Sequence, residues 1–114
     1  MCSILVIDDE KNNLSLLQEA LTLLGHKVEV ANDGRKGIKK FDNGSFDIVI
    51  TDVLMPKLDG RGVVQHIRNS RKKSISIIGM SGTPWLLNDI DFDIILPKPF
   101  PLEKLLEMVT KLNC

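Results

Sequence analysis

Aromatic residues are scarce in this sequence of 114 residues, which contains no tyrosine, one tryptophan and four phenylalanines. A stacking platform for RNA or single-stranded DNA needs aromatic side chains, so the composition argues against one. An excess of one charge is also lacking, because 15 basic residues balance 15 acidic residues. Without a basic excess, no general affinity for polyanions follows, and we expect no direct binding of nucleic acid.

Long hydrophobic runs are missing as well. The apolar run at the N-terminus stops at Asp8, Asp9 and Glu10, far short of the ~20 residues of a membrane helix. The same charges exclude a signal peptide. The two cysteines, Cys2 and Cys114, have no metal-ligand spacing, and we expect both to be free thiols in a reducing compartment. These absences predict a cytoplasmic protein without a membrane contact.

Short apolar runs alternate along the chain with longer stretches in which apolar residues repeat at helical spacing. Gly25 is expected to end the first helix, Asp59 to cap the third, and Pro101 to occupy the first turn of the last. Alternating elements with apolar strands favour an α/β fold whose parallel sheet is covered on both faces. We predict one domain over residues 1–114, a doubly wound, flavodoxin-like sheet of five strands in the order 2-1-3-4-5. The predicted strands are residues 4–7, 27–31, 47–51, 75–80 and 93–96.

Side chains that carry chemistry follow the predicted strands, and in an open parallel sheet they gather beyond the carboxyl ends. They are Asp8 and Asp9 after the first strand, Asp52 after the third, Ser81 after the fourth and Lys98 after the fifth. Crowded carboxylates repel one another, and a hard divalent cation relieves that repulsion. Mg²⁺ prefers oxygen ligands of this kind, so the sequence predicts a magnesium site.

Asp52 is the best candidate for a nucleophile because it ends the central strand. A carboxylate can attack phosphorus and form an aspartyl phosphate. Phosphoryl transfer is mostly positioning and charge neutralisation, and Mg²⁺, Lys98 and the Ser81 hydroxyl could each serve one phosphoryl oxygen. Gly82 would leave room beside them. The residues alone therefore predict that Asp52 accepts a phosphoryl group.

Taken together, these motifs resemble the receiver domain of two-component response regulators, of the kind found in chemotaxis regulators. The resemblance covers the whole chain, and its motifs occur in the family's order. They are Asp8-Asp9, Asp52 in Asp-Val-Leu-Met-Pro-Lys-Leu-Asp-Gly, Ser81-Gly82 and Lys98-Pro99-Phe100.

The resemblance implies a role for each matching position. Asp52 would be the phosphoacceptor, Asp9 would bind Mg²⁺ directly, Asp8 would bind it through water, and the Leu54 backbone carbonyl would be a further ligand. Ser81 would be the switch hydroxyl. Lys98 would bridge to the phosphoryl oxygens, and its bond to Pro99 would be cis.

The resemblance also implies partners. A sensor histidine kinase or phosphotransfer protein would donate the phosphoryl group from a phosphohistidine, and an output domain or target protein outside these residues would receive the signal. The domain would not be an enzyme, since it would catalyse only its own phosphorylation and dephosphorylation.

The sequence departs from the family between Ser81 and Lys98. Ile95 stands where the family usually has its switch aromatic, and the stretch is short by more than about one helical turn. We therefore predict a shortened fourth helix within residues 84–90. Trp85 is interpreted as apolar cover for this region, with contact to a partner or to the phosphorylated loop as the alternative.

Three other functions found on this kind of fold were compared with the sequence motifs. A haloacid dehalogenase phosphatase places its nucleophile after the first strand in an Asp-x-Asp pattern, whereas this chain has Asp8-Asp9-Glu10 there. A flavin or dinucleotide protein would need a glycine-rich loop at that point, and none follows the first strand. A pseudo-receiver, an interaction module that is not phosphorylated, is the remaining alternative because the switch region is altered.

Overall fold

The sheet has the predicted topology. The structure is a computed structural model that describes residues 1–53, 59–72, 74–86 and 90–112. Five parallel strands are ordered β2-β1-β3-β4-β5, which confirms the prediction. The strands are β1 (Ser3–Ile7), β2 (Lys27–Ala31), β3 (Ile48–Asp52), β4 (Ser76–Ser81) and β5 (Ile94–Pro97).

Helices cover both faces of the sheet. The helices are α1 (Lys11–Leu23), α2 (Gly34–Asn43), α3 (Gly60–Arg68) and α4 (Leu102–Lys111). Apolar side chains of α1 and α4 pack on one face, and those of α2 and α3 pack on the other. All five residues of β3 are buried, as expected for a strand covered on both sides. Among the described residues, no helix is long and apolar enough to span a membrane.

Three helix ends were predicted from the sequence, and two of them are confirmed. The Asp59 carboxylate accepts hydrogen bonds from the backbone N–H groups of Arg61 and Gly62, which confirms the predicted cap. Gly25 has a φ of 93°, a left-handed conformation that suits glycine after a helix end. Pro101 stands at the N-cap of α4 and not in its first turn, so that placement was wrong by one residue.

Where a short helix was predicted over residues 84–90, the described part of the chain has a 3₁₀ turn, Pro84–Leu86; residues 87–89 lie outside the described ranges. The Phe92 ring lies against Gly79 of β4, where a Cβ atom would come within 2.6 Å of it. Arg68 of α3 donates to the Asp91 carbonyl and pairs with the Asp93 carboxylate at 2.8 Å. A ring and an ion pair thus fix the shortened connection onto the sheet.

Trp85 does not cover this region, because 67% of its surface is exposed. The interpretation of Trp85 as apolar cover was therefore wrong. Phe92 and Ile90 supply that cover instead, packed against the core between the sheet and helices α2 and α3. Ile95 is half-buried on β5 and pairs with Gly79 in the sheet register.

The N-terminal strand is anchored through Cys2 and His26. The Cys2 backbone N–H donates to His26 Nδ1 at 3.0 Å, and both residues are buried. Cys2 is disulfide-bonded, so the expectation of a free thiol was wrong there; sequence spacing does not reveal which cysteines a fold brings together. Cys114 lies outside the described residues.

His26 makes folding sensitive to acid. Burial lowers its pKa below the ordinary value of 6.5, and the positive N-terminus lowers it further. The folded state therefore favours neutral His26. This stabilisation is complete above pH 6.5 and is lost as pH falls toward the folded pKa, by about 1.4 kcal/mol for each unit between the two values.

We expect His26→Asn to flatten this part of the pH profile, because the amide oxygen can accept the Cys2 N–H without titrating. Urea unfolding of both proteins at pH values on either side of 6.5 measures the difference. Equal slopes for the two proteins in this range would show that His26 does not control the acid response.

Candidate functional site

Three carboxylates meet at the carboxyl edge of the sheet. Asp8 follows β1 and Asp52 ends β3, two strands that are hydrogen-bonded neighbours. Asp8 is 1% exposed and Asp52 is 7% exposed, whereas Asp9 faces solvent. One carboxylate oxygen from each of the three lies within 4.8 Å of the others. The predicted cluster is thus brought together, in a geometry that suits a cation with oxygen ligands.

The environment of Asp8 shows the cost of this crowding. Burial raises its pKa above the ordinary value of 3.8, and the negative charge of Asp52 raises it further. Opposing effects come from the Glu10 backbone N–H, which donates to Asp8 Oδ1 at 3.0 Å, from Lys98, and from the Asn13 amide at 3.5 Å. Burial wins, so the metal-free pocket resists full ionisation.

Lys98 is the cation that the chain itself supplies. Its Nζ donates to Asp52 Oδ2 at 3.0 Å. The backbone holds this side chain in place, because the Lys98 N–H donates to the Ser81 carbonyl at 2.7 Å. The Lys98–Pro99 peptide bond is cis, as the resemblance implied. The negative charge of Asp52 is therefore paired with the ammonium of Lys98, although the buried carboxylate of Asp8 lies nearby.

Ser81 lies at the same edge, at the end of β4, and is 2% exposed. Its Oγ accepts a hydrogen bond from the Thr83 backbone N–H at 3.0 Å and lies 3.5 Å from Thr83 Oγ1. Gly82, between them, has open space where a Cβ would stand. The hydroxyl is therefore held by its own loop beside a gap that could take a small group.

Gly60 sets the position of the backbone around Asp52. The Gly60 N–H donates to the Val53 carbonyl at 2.8 Å. A Cβ atom at Gly60 would come within 2.7 Å of the Asp52 carbonyl oxygen and 2.8 Å of Val53 Cα. Since these are backbone atoms, only glycine permits α3 to begin so close to Asp52. The Leu54 carbonyl, predicted as a metal ligand, lies outside the described residues.

Sequence reasoning missed three residues that shape the site. Asn13 approaches Asp8, Thr83 holds the Ser81 hydroxyl, and Gly60 packs on the Asp52 backbone. Ser81-Gly82-Thr83 is a pattern that can signal a local hydroxyl turn. Asn13 carried no comparable signal, because its contact depends on how the first helix is seated.

A doubly wound sheet with buried carboxylates, a lysine and a hydroxyl at its carboxyl edge defines the class: a flavodoxin-like domain built around an acidic pocket. A family profile described as response regulator receiver domain matches residues 4–110. The chain belongs to this family.

Curated relatives agree with this membership. The chain is 40% identical over 102 residues to a probable transcriptional regulator, ycf27, of Cyanidium caldarium, covering 85% of this chain and 40% of that protein. It is 35% identical over 109 residues to a probable chemotaxis protein CheY of Rhizobium etli, covering 90% and 84%. The chain thus spans less than half the length of several curated relatives that it matches.

Solved structures share the fold over nearly the whole chain. The response regulator protein TrrA of Thermotoga maritima, in complex with Mg²⁺-BeF, has a TM-score of 0.88 and 36% identity, covering 98% of this chain and 99% of that one. A second structure contains histidine kinase ThkA in complex with TrrA; its matched chain has a TM-score of 0.83 and 34% identity, with 100% of each chain covered.

We expect Asp8→Asn to stabilise the metal-free protein at neutral pH. Because the pKa of Asp8 is raised on folding, its protonated form favours the folded state below pH 3.8, and this stabilisation is lost as pH rises through the folded pKa. The amide cannot ionise, so the variant should escape that loss and gain about 1.4 kcal/mol for each unit by which folding raises the pKa.

Urea unfolding with a chelator, from pH 3.8 to neutral pH, tests this expectation. Asp9→Asn is the matched control, since Asp9 is exposed and its replacement should change stability much less. A wild-type profile that parallels that of Asp8→Asn would contradict the charge argument.

Proposed function

We propose that this chain accepts a phosphoryl group on Asp52 from a phosphohistidine of a sensor histidine kinase or phosphotransfer protein, and that the added charge switches its surface. One observation carries the proposal. The Asp52 carboxylate is buried at the end of the central strand with Lys98 Nζ at 3.0 Å and the carboxylates of Asp8 and Asp9 beside it.

In the transfer step, a carboxylate oxygen of Asp52 attacks phosphorus. The P–N bond of the phosphohistidine breaks, and the imidazole nitrogen keeps the electron pair. Lys98 is placed to neutralise charge on the phosphoryl oxygens, since its ammonium already contacts the acceptor carboxylate. The protein's contribution is positioning and charge compensation, as is usual in phosphoryl transfer.

The cation that suits this pocket is Mg²⁺. Asp8, Asp9 and Asp52 would hold it, with the Leu54 carbonyl as a further ligand, and the raised pKa of Asp8 supports an unmet need for positive charge. When bound, Mg²⁺ would neutralise charge that develops on the phosphoryl oxygens. TrrA, a relative at 36% identity, has been crystallised with Mg²⁺-BeF.

Ser81 is the proposed switch residue. Phosphorylation adds about −1.5 to −2 charges at Asp52. If the Ser81 hydroxyl turned toward the phosphoryl oxygens, it would lose the hydrogen bond that it now accepts from the Thr83 N–H. The loop after β4 would then rearrange, which biases a two-state equilibrium toward a signalling conformation.

The proposed domain comprises residues 1–114 and catalyses only its own phosphorylation and dephosphorylation. The ThkA–TrrA complex supports a kinase partner. The longer relatives support an output region beyond a receiver in proteins of this family. A cytoplasmic location stays a prediction, based on the need to meet a kinase.

Intact-protein mass spectrometry tests the proposal. We expect wild type incubated with Mg²⁺ and a small phosphodonor to gain one phosphoryl group that hydroxylamine removes, as it does from an acyl phosphate. Asp52→Asn should gain none. Asp47→Asn is the matched control, because Asp47 lies at the opposite end of β3, where it accepts the Ser3 N–H, and it should be phosphorylated normally.

An adduct that persists in Asp52→Asn would place the acceptor elsewhere. A wild-type protein that binds Mg²⁺, seen as a change in Trp85 fluorescence, but gains no phosphoryl group would support the pseudo-receiver.

A further inference from the structure

A groove lies along the outer edge of the sheet, and the residues that line it do not include the three carboxylates of the acidic pocket. Strand β2 ends the strand order, and α1 and α2 pack on opposite faces beside it. The groove has a volume of about 370 Å³. Its floor is Val30 to Asn32, its α1 wall includes Lys11 and Ser15, and its α2 wall consists of Lys36 and Lys40.

The floor presents hydrogen-bond acceptors. An edge strand leaves part of its backbone without a strand partner. The Val30 carbonyl is bonded by the Lys40 ammonium at 2.8 Å, a contact that spans the groove. Asn32 Oδ1 is buried, and within the described part of the chain no hydrogen-bond donor reaches it. A buried acceptor without a donor is costly, and it adds a polar atom to the floor beside the Val30 carbonyl.

The α2 wall carries a cluster of positive charge. Arg35, Lys36, Lys39 and Lys40 are all exposed, and they form two like-charged pairs at i,i+4 spacing, which destabilise a helix. The acidic residue of this helix, Asp42, pairs with His66 of α3 at 2.7 Å. In helix α4, by contrast, a lysine has an acidic partner at i,i+4 spacing, because Lys111 pairs with Glu107 at 3.3 Å.

Positive charge is thus concentrated on one helix face in a chain whose formal net charge is zero. Glu29 is the acidic side chain that lines the adjoining groove, together with Lys36, Lys39 and Lys40. One carboxylate leaves this wall strongly positive.

We propose that this groove, named here the β2-edge groove, binds an extended acidic segment of a partner protein. A backbone N–H of such a segment would donate to the Val30 carbonyl once the Lys40 side chain is released, and its carboxylates would pair with Lys36 and Lys40. Strand addition at a sheet edge is a general mode of peptide recognition. The proposal uses none of the residues in the phosphorylation pocket and does not depend on the proposed function.

The chemistry of the floor favours a peptide over a nucleic acid. Acceptor oxygens repel phosphate oxygens but bind peptide N–H groups. The residues that line the groove include no aromatic side chain on which a base could stack. The other explanation for Lys40 is protection: from α2 its ammonium covers the Val30 carbonyl of the edge strand, which discourages edge-to-edge association.

The test uses ¹⁵N-labelled full-length chain and a short synthetic peptide that alternates glutamate with valine. The expected result is a set of amide shifts in β2 and α2, with an affinity that falls as salt is added. The same peptide with glutamine in place of glutamate should bind far more weakly. Lys36→Glu should weaken binding about tenfold, and its fold is expected to be retained because an acidic residue suits a helix N-terminus.

Lys104→Glu is the matched control, since this exposed lysine of α4 does not line the groove; it should bind like wild type. Absence of shifts at low salt, or equal binding by wild type and Lys36→Glu, would overturn the proposal and leave Lys40 as an edge guard. Tighter binding of a single-stranded oligonucleotide to the same residues would overturn the assignment to an acidic protein segment.

Discussion

Repulsion between two buried carboxylates, Asp8 and Asp52, is the constraint around which the rest of the pocket is arranged. The two side chains stand at the ends of neighbouring strands, where the sheet register holds them close. Lys98 compensates one of them, and the Glu10 N–H compensates the other in part. Burial still raises the pKa of Asp8, so a divalent cation would complete the charge balance.

The sheet provides this pocket by topology. Because all five strands are parallel, their carboxyl ends share one edge, and β1, β3 and β4 each deliver at least one functional group there. Close packing then fixes the details. Gly60 lets α3 begin against the Asp52 backbone. The Lys98 N–H donates a hydrogen bond to the Ser81 carbonyl, which holds the end of β5 against the end of β4. Because backbone contacts already fix these side chains, the pocket loses little conformational entropy when a ligand binds.

Sequence patterns predicted the strands, their order and the five pocket side chains. Apolar runs mark the strands locally, and the carboxyl ends of parallel strands share one edge in any sheet of this topology. Three strand ends, at Asp52, Ser81 and Pro97, came one residue later than predicted, since the ladder continues where the apolar run stops. Thr83 and Asn13 depend on loop and helix placement, which no periodicity reports. Trp85 and Cys2 were misjudged for the same reason. Their surroundings are set by tertiary contacts, such as the hydrogen bond between Cys2 and His26.

Stability as a function of Mg²⁺ concentration tests the central claim most directly. We predict that Mg²⁺ raises the free energy of unfolding of wild type at neutral pH, by about 2.7 kcal/mol at one hundred times its dissociation constant. Asp52→Asn and Asp8→Asn should each respond much less, because each removes part of the repulsion and part of the ligand set. A wild-type protein whose stability does not change with Mg²⁺, or variants that respond as strongly as wild type, would contradict the account.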